Sequence, residues 1–374
     1  MLIGGKGLNK DGEVPIKDIL IFDAHCDTAN ILYDDSSYFI KENKSQLTPE
    51  KIKEGGLKAQ IFAIYVNPVY SPYRCIKKAL LLYNALEQKL FLKGYGVKVV
   101  STSEMKSSIS RGKLACFLSL EGGHIIENST DILEFFNSLG FRAMTLTHTK
   151  NTDWADSSGD ESKWDGLNNL GRKIISKMNK LKMIIDVSHT SDKTVEDVLD
   201  ISKMPIMASH SSSRAICDLP RNIPDYLIEE ISNRNGFIGV NFFPGFLKKE
   251  INLQVMANMK KYKDWHLKQI KGIDDPDFIN QAEMKYYTKI VEGNEKVNLN
   301  SLIDHIIHIS EVGGIDCVGL GSDFDGIPST PTDLTDVSCY PALINGLSER
   351  GFGKKEIEKV MGLNLYNFFK IFDR

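Results

Sequence analysis

The chain lacks most of the features that classify a protein quickly. None of its six cysteines (Cys26, Cys75, Cys116, Cys217, Cys317 and Cys339) forms a CxxC pair, and Cys26, Cys116 and Cys317 lie inside apolar runs. This usage predicts reduced core thiols in a cytoplasmic protein rather than a disulfide framework. No apolar run approaches the roughly 18 residues that span a bilayer. The opening Met1-Leu2-Ile3-Gly4-Gly5-Lys6-Gly7 has neither the apolar segment nor the cleavage site of a secretion signal. Neither sign of charge dominates, and the formal net charge is −3. Nucleic acid and anionic membranes are therefore not expected partners. There is no internal repeat and no low-complexity tract. A glycine-rich phosphate loop after the first strand is also missing, which argues against a doubly wound dinucleotide-binding sheet.

What is present is a regular alternation. Hydrophobic residues make up 42% of the 374 and charged residues 25%, enough for a large core. Strand-like apolar runs fall at 19–26, 59–66, 114–120, 143–147, 183–188, 205–209, 236–242 and 317–322. Stretches of helical period separate them, such as Ile76, Leu80, Tyr83, Leu86 and Leu90 within 71–92. A Lys- and Asp-rich, partly helical excursion from 244 to about 300 interrupts the seventh and eighth strands, and 354–372 reads as a C-terminal helix. Eight strands alternating with helices predict an α/β fold, a (β/α)8 TIM-type barrel, with 1–374 as a single hydrolase domain.

Active sites of such barrels sit at the C-terminal ends of the strands. Here those ends carry His25 and Asp27, Glu121, His148, His189, His210 and Asp323. Four of the eight histidines close predicted strands, a clustering that chance placement does not produce. Taken singly each has a plainer reading: His189 as a packed core histidine, Glu121 as a carboxylate at a helix N-terminus. His25 and Asp27 are two apart in an extended run, so their side chains project together. A single zinc takes about three protein ligands and a water. Three imidazoles (His25, His189, His210) and two carboxylates (Asp27, Glu121) are enough for two ions if one carboxylate bridges. Two ions roughly 3.5–4 Å apart hold and deprotonate a water between them. The expectation is a binuclear metal hydrolase using a bridging hydroxide.

The residues also carry a resemblance. Asp23-Ala24-His25-Cys26-Asp27, Leu120-Glu121-Gly122-Gly123-His124, Leu146-Thr147-His148, Asn151-Thr152-Asp153-Trp154-Ala155-Asp156, Asp186-Val187-Ser188-His189-Thr190, Ser209-His210-Ser211-Ser212, Pro220-Arg221-Asn222 and Gly321-Ser322-Asp323-Phe324-Asp325-Gly326 span most of the chain. In sequence and order they resemble the membrane (renal) dipeptidase family, metal-dependent dipeptidases of the amidohydrolase superfamily. The resemblance implies two Zn2+ per chain, one on His25 and Asp27, the other on His189 and His210, bridged by Glu121. It also implies substrate contacts from His148 and Arg221, a homodimer, and dipeptide substrates, including for many members those with a C-terminal D-residue.

Physical chemistry gives each role a reason. The planar fork of Arg221 matches the free carboxylate of a dipeptide. His148 can donate a hydrogen bond to the developing oxyanion. Asp323 is placed to take a proton from the attacking water and pass it to the leaving amine; Asp325-Gly326 is read as shaping the turn. His124 is read as loop-forming, Trp154 and Asp156 as shaping the pocket loop, and His266, His305 and His308 as surface or packing residues. The chain ends Lys370-Ile371-Phe372-Asp373-Arg374, without the apolar tail of a lipid-anchor signal, so no membrane anchor is expected. The competing readings are an amidohydrolase acting on N-acyl amino acids or lactams, and a barrel that binds metal or peptide without catalysis.

Overall fold

The computed structural model describes residues 18–34 and 45–373. Its strands are β1 (Ile21–Cys26), β2 (Leu57–Tyr65), β3 (Gly96–Lys98), β4 (Leu114–Glu121), β5 (Phe141–Thr145), β6 (Ile184–Asp186), β7 (Met207–Ala208), β8 (Phe237–Val240) and β9 (Val318–Leu320). Eight of them close a parallel ring in the order β1-β2-β4-β5-β6-β7-β8-β9, because β2 pairs with β4 and β1 with β9. The predicted TIM-type barrel is therefore the observed one. The ninth strand, β3, was not expected. It is only three residues long and lies beside Leu114–Cys116, below the point at Leu118 where β5 becomes the partner of β4.

Surrounding helices include α1 (Cys75–Leu86), α2 (Thr130–Ser138), α3 (Asn169–Lys180), α4 (Asp192–Ile201), α5 (Asp225–Asn233), α6 (Lys249–Ile270), α7 (Pro276–Val291), α8 (Leu299–Gly313), α9 (Tyr340–Glu349) and α10 (Asn364–Ile371). Their starts follow local chemistry: the Ser129 hydroxyl accepts from the Ile132 N–H and the Ser191 hydroxyl from the Thr194 N–H, as N-caps do. The excursion resolves into the helical pair α6 and α7, inserted between β8 and β9. The six cysteines are free thiols, five of them buried. Among the described residues no helix is long and apolar enough to cross a membrane.

The barrel interior has two ends. At the N-terminal end of the strands Phe22, Ala59, Ile61, Ala115, Phe117, Ala143, Ile184, Met207 and Phe237 form one buried cluster with Leu365, Phe368, Phe369 and Phe372. Helix α10 thus plugs the barrel floor, with the Phe117 and Phe369 rings 4.5 Å apart. Its approach needs glycine: a Cβ on Gly362 would lie 2.4 Å from the Leu20 carbonyl oxygen. Farther along the same inward faces, at strand period two, the residues become polar: Tyr65, Ser119, Glu121, Thr145, Asp186, Ser209 and Asn241. All but the half-buried Tyr65 are buried. A buried polar layer needs partners, and this one is where the site is built.

Candidate metal centre

Strand β1 opens the site with a change of face. Phe22 and Ala24 belong to the floor cluster, while Asp23 accepts hydrogen bonds from Tyr340 on α9 and from Ser322. Strict alternation would send His25 out with Asp23. The pairing of β1 with β2 is irregular between Asp23 and Cys26, and such an irregularity re-aims side chains. His25 turns inward and meets Asp27, Nε2 to Oδ2 3.5 Å. Glu121 at the end of β4 reaches between the strands. Its Oε2 lies 3.3 Å from His25 Nε2, and its Oε1 lies 3.4 Å from His189 Nε2 and 3.6 Å from the Nε2 atoms of both His210 and His148. Asp323 Oδ1 lies 3.9 Å from His25 Nε2. Every predicted strand-end residue arrives at one point, with Glu121 central.

The ladders stop earlier than the sequence pattern indicated. β6 ends at Asp186 and β9 at Leu320, three residues short of His189 and Asp323. The reason is backbone conformation: His189 (φ +66°) and Asp323 (φ +62°) are left-handed, which breaks strand geometry. Nearby, a Cβ on Gly326 would sit 2.1 Å from Asp27 Oδ2 and 2.6 Å from Asp323 Oδ1. Only glycine lets the turn close over these carboxylates.

Do these residues fit a metal? Nε2 of His25 and Oδ1 of Asp27 are buried without hydrogen-bond partners, atoms whose desolvation a cation would offset. The Nε2 atoms of His189 and His210 are 2.8 Å apart, and only one proton can lie between them. Burial, reinforced by neighbouring positive charge, holds His148, His189 and His210 well below the ordinary imidazole pKa. They are neutral and carry lone pairs, the form a metal requires. Burial also opposes protonation of His25, but Glu121 and Asp27 outweigh it and raise its pKa well above the usual value. Burial and the charge of Glu121 push Asp27 up to about 6. Protons here occupy positions that a divalent cation takes over. The donor set fits.

Surrounding bonds fix the ligands' orientation. The Ser209 hydroxyl donates to Asp186 (2.5 Å), so His210 Nδ1–H must be the donor to Ser209 Oγ (2.7 Å), leaving the lone pair on Nε2. Asp186 also accepts from Thr145 Oγ1 and from the N–H groups of Ser188 and Ser209. Asp323 Oδ2 accepts from Asn241 Nδ2 at 2.8 Å; burial first, then the charge of Asp27, raises its pKa to about 7, with His25 and Asn241 opposing. Arg221 donates to the His210 carbonyl and to Ser211 Oγ, each at 2.7 Å, and its buried Nε–H has no partner. The turn carrying Arg221 is itself held by Arg214, which donates to the carbonyls of Asn222 and Pro220 and clasps Asp192 at 2.5 and 2.7 Å.

A family model described as membrane dipeptidase (peptidase family M19) matches residues 14–373. The chain belongs to that family. Among curated proteins it is 33% identical to dipeptidase tcpJ of Claviceps purpurea over 68% of this chain and 50% of that protein. It is 26% identical to dipeptidase 3 of Macaca fascicularis over 97% of this chain and 67% of that protein. The chain thus spans about half the length of the Claviceps protein. Among solved structures, the probable dipeptidase PvdM from Pseudomonas aeruginosa superposes with a TM-score of 0.81 at 25% identity, over 96% of each chain. A metallo peptidase from Rhodobacter sphaeroides, liganded with a phosphinate mimic of the dipeptide L-Ala-D-Ala, superposes with a TM-score of 0.77 at 23% identity, over 94% of this chain and 99% of that one.

Residues given supporting parts behave as read, with one exception. His124 Nε2 bonds the Val66 carbonyl at 2.7 Å, and burial keeps it neutral with a pKa of about 4. The Asp156 carboxylate gathers the N–H groups of Lys163, Trp164 and Gly166 into the pocket loop, and Trp154 is buried. The Asp325 carboxylate departs from its reading as a turn-shaping group: it accepts from Thr28, Ser45 and Gln46 and so ties its turn to distant segments of the chain. His305 is buried between the Ser213 N–H and the Leu247 carbonyl. Four contributors were given no role from sequence: Asp186, Ser209, Asn241 and Tyr65. Each lies in the inward register of its strand, one or two periods beyond the apolar floor. That position was the signal available.

Proposed function

We propose that this protein is a metallo-dipeptidase that hydrolyses the peptide bond of dipeptides, with two zinc ions as its cofactor. His25 and Asp27 would hold one ion, His189 and His210 the other, and Glu121 both. The observation that carries the reading is the meeting at Glu121 of donor side chains from the ends of four strands, β1, β4, β6 and β7, with Nε2 of His25 and Oδ1 of Asp27 unsatisfied in a buried place. Bound divalent ions supply Lewis acidity toward the scissile carbonyl and make a water acidic enough to attack near neutral pH.

The chain's own residues do the rest. Arg221 spends two guanidinium N–H bonds on Ser211 and His210 and keeps others free, so its fork can grip the substrate carboxylate. Neutral His148, beside Glu121, can donate to the carbonyl oxygen as negative charge develops there. Asp323, whose Oδ1 lies 3.9 Å from His25 Nε2, can accept a proton from the attacking water and release it to the leaving amine. Asn241 holds that carboxylate in place.

The test is turnover of Ala-Ala, L-Ala-D-Ala and N-acetyl-Ala-Ala by zinc-loaded protein. Hydrolysis of free dipeptides, with loss on acetylation, is the expected result. Preference for the acetylated compound would favour the N-acyl amino acid reading, and no turnover of any would refute the hydrolase assignment.

A further inference from the structure

The excursion reaches the rim of the site through one face of α7. Asp277 on its first turn accepts from Tyr70 Oη at 2.5 Å and from Lys78 Nζ at 2.9 Å. One turn on, Asn280 and Glu283 both accept from Asn67 Nδ2. Positions 277, 280, 283 and 287 share a helix face, and they march inward along the segment after β2, from Tyr70 through Asn67 toward Tyr65. Tyr65 is the register partner of Glu121, and its ring packs 4.5 Å from the His148 ring. The electrostatic influence of Tyr287 and Glu283 on the Tyr65 hydroxyl agrees with this progression. Tyr65, Glu283 and Tyr287 therefore form a wall running outward from His148.

That wall is rich in acceptors and lacks a cation. Among the described residues Glu283 is in no ion pair, and its one hydrogen-bonding partner is the neutral Asn67 amide. Neither Tyr65 nor Tyr287 has a hydrogen-bond partner for its hydroxyl among the described residues, though both are half-buried. A carboxylate with two phenol oxygens nearby that have no partner among the described residues is a receptor for an ammonium or guanidinium group, by charge-assisted hydrogen bonds. We propose that Tyr65, Glu283 and Tyr287 form a subsite for a positively charged substrate side chain, so that this protein prefers dipeptides containing Lys or Arg. The inference rests on the dipeptidase reading above.

The experiment compares kcat/KM for Lys-Ala and Ala-Ala in wild-type protein, Glu283→Gln and Tyr287→Phe. It also measures, by calorimetry on zinc-loaded protein, binding of the non-hydrolysable reduced-bond isosteres of both dipeptides. In Glu283→Gln the Lys-Ala over Ala-Ala ratio should fall about tenfold, the size of one charge-assisted contact, and the ratio of isostere affinities should fall with it. Glu283→Lys should turn the preference toward Glu-Ala. An unchanged ratio in all three variants overturns the proposal, as does an equal fall for both dipeptides, which would assign the wall to the α-ammonium instead. Because calorimetry needs no turnover, the subsite is tested even if the dipeptidase reading fails.

Discussion

The two ends of the barrel interior are built from the same strands and obey opposite rules. At the floor, inward residues are Phe22, Phe117, Ile184 and Phe237, closed off by α10. At the top, the inward residues one or two periods farther on are Glu121, Asp186, Ser209 and Asn241, joined by His25, Asp27 and Asp323. The floor lowers free energy by removing apolar surface from water, about 1.5–3 kcal/mol for each large side chain. The top buries carboxylates and imidazoles at a cost that only partners or a cation can offset. One end pays for the other, and the proposed function falls at the end that costs stability, where catalytic residues of such barrels cluster.

Substitutions should separate the ends. Glu121→Ala removes the side chain common to both proposed cations. It should abolish stable metal uptake and cut turnover about 10⁴-fold, roughly 5.4 kcal/mol of barrier, while circular dichroism stays native. Retention of both metals would deny Glu121 its central place. Phe369→Ala should do the reverse, lowering the unfolding free energy by about 3–5 kcal/mol while zinc content per folded chain is unchanged; denaturant titration and metal analysis check both halves. Asp323→Asn should keep the metals and reduce kcat by about 10²–10⁴-fold. Full activity there would place the proton relay elsewhere. Arg221→Ala should chiefly raise KM, by about tenfold or more, and an unchanged KM would remove Arg221 from the substrate pocket.

The smallest effect is a difference in slope. Folded, metal-free protein holds protons on Asp27 up to about pH 6 and on Asp323 up to about pH 7, whereas unfolded aspartates release them near the ordinary 3.8. Those two carboxylates favour folding as pH falls, but buried neutral His124, His148, His189, His210 and His305 take up protons only on unfolding and outnumber them below about pH 6.5, so metal-free stability should fall as pH falls through that range. With zinc bound the fall should be steeper, because protons then also compete with the metal. The gap between the melting temperatures of the two forms should narrow from pH 7.5 to 5; parallel curves would show that Asp27 and Asp323 are not coupled to metal.

The top of the barrel was legible because strand ends display their chemistry locally. His25 and Asp27, Glu121, His148, His189 and His210 all follow apolar runs, and the structure gathers them around Glu121. The eight barrel strands were legible by the same runs. Harder to see was β3, whose three residues carry no period of their own. The irregularity that turns His25 away from the face of Asp23 is set by the pairing with β2, which no local pattern encodes. Asp186 and Asn241 read as parts of apolar strands, and their roles depend on which neighbour each strand meets. Glu283 could not be linked to Tyr65 from sequence at all, since α7 reaches the rim only through long-range contacts with Asn67, Tyr70 and Lys78.

The most direct test of the account is zinc titration of metal-stripped protein by native mass spectrometry and calorimetry in buffers of different ionisation enthalpy. Two ions per chain, bound with proton release that grows as the pH is lowered toward 6, is the predicted result. A single ion, or uptake without proton release, would contradict the two-cation site centred on Glu121.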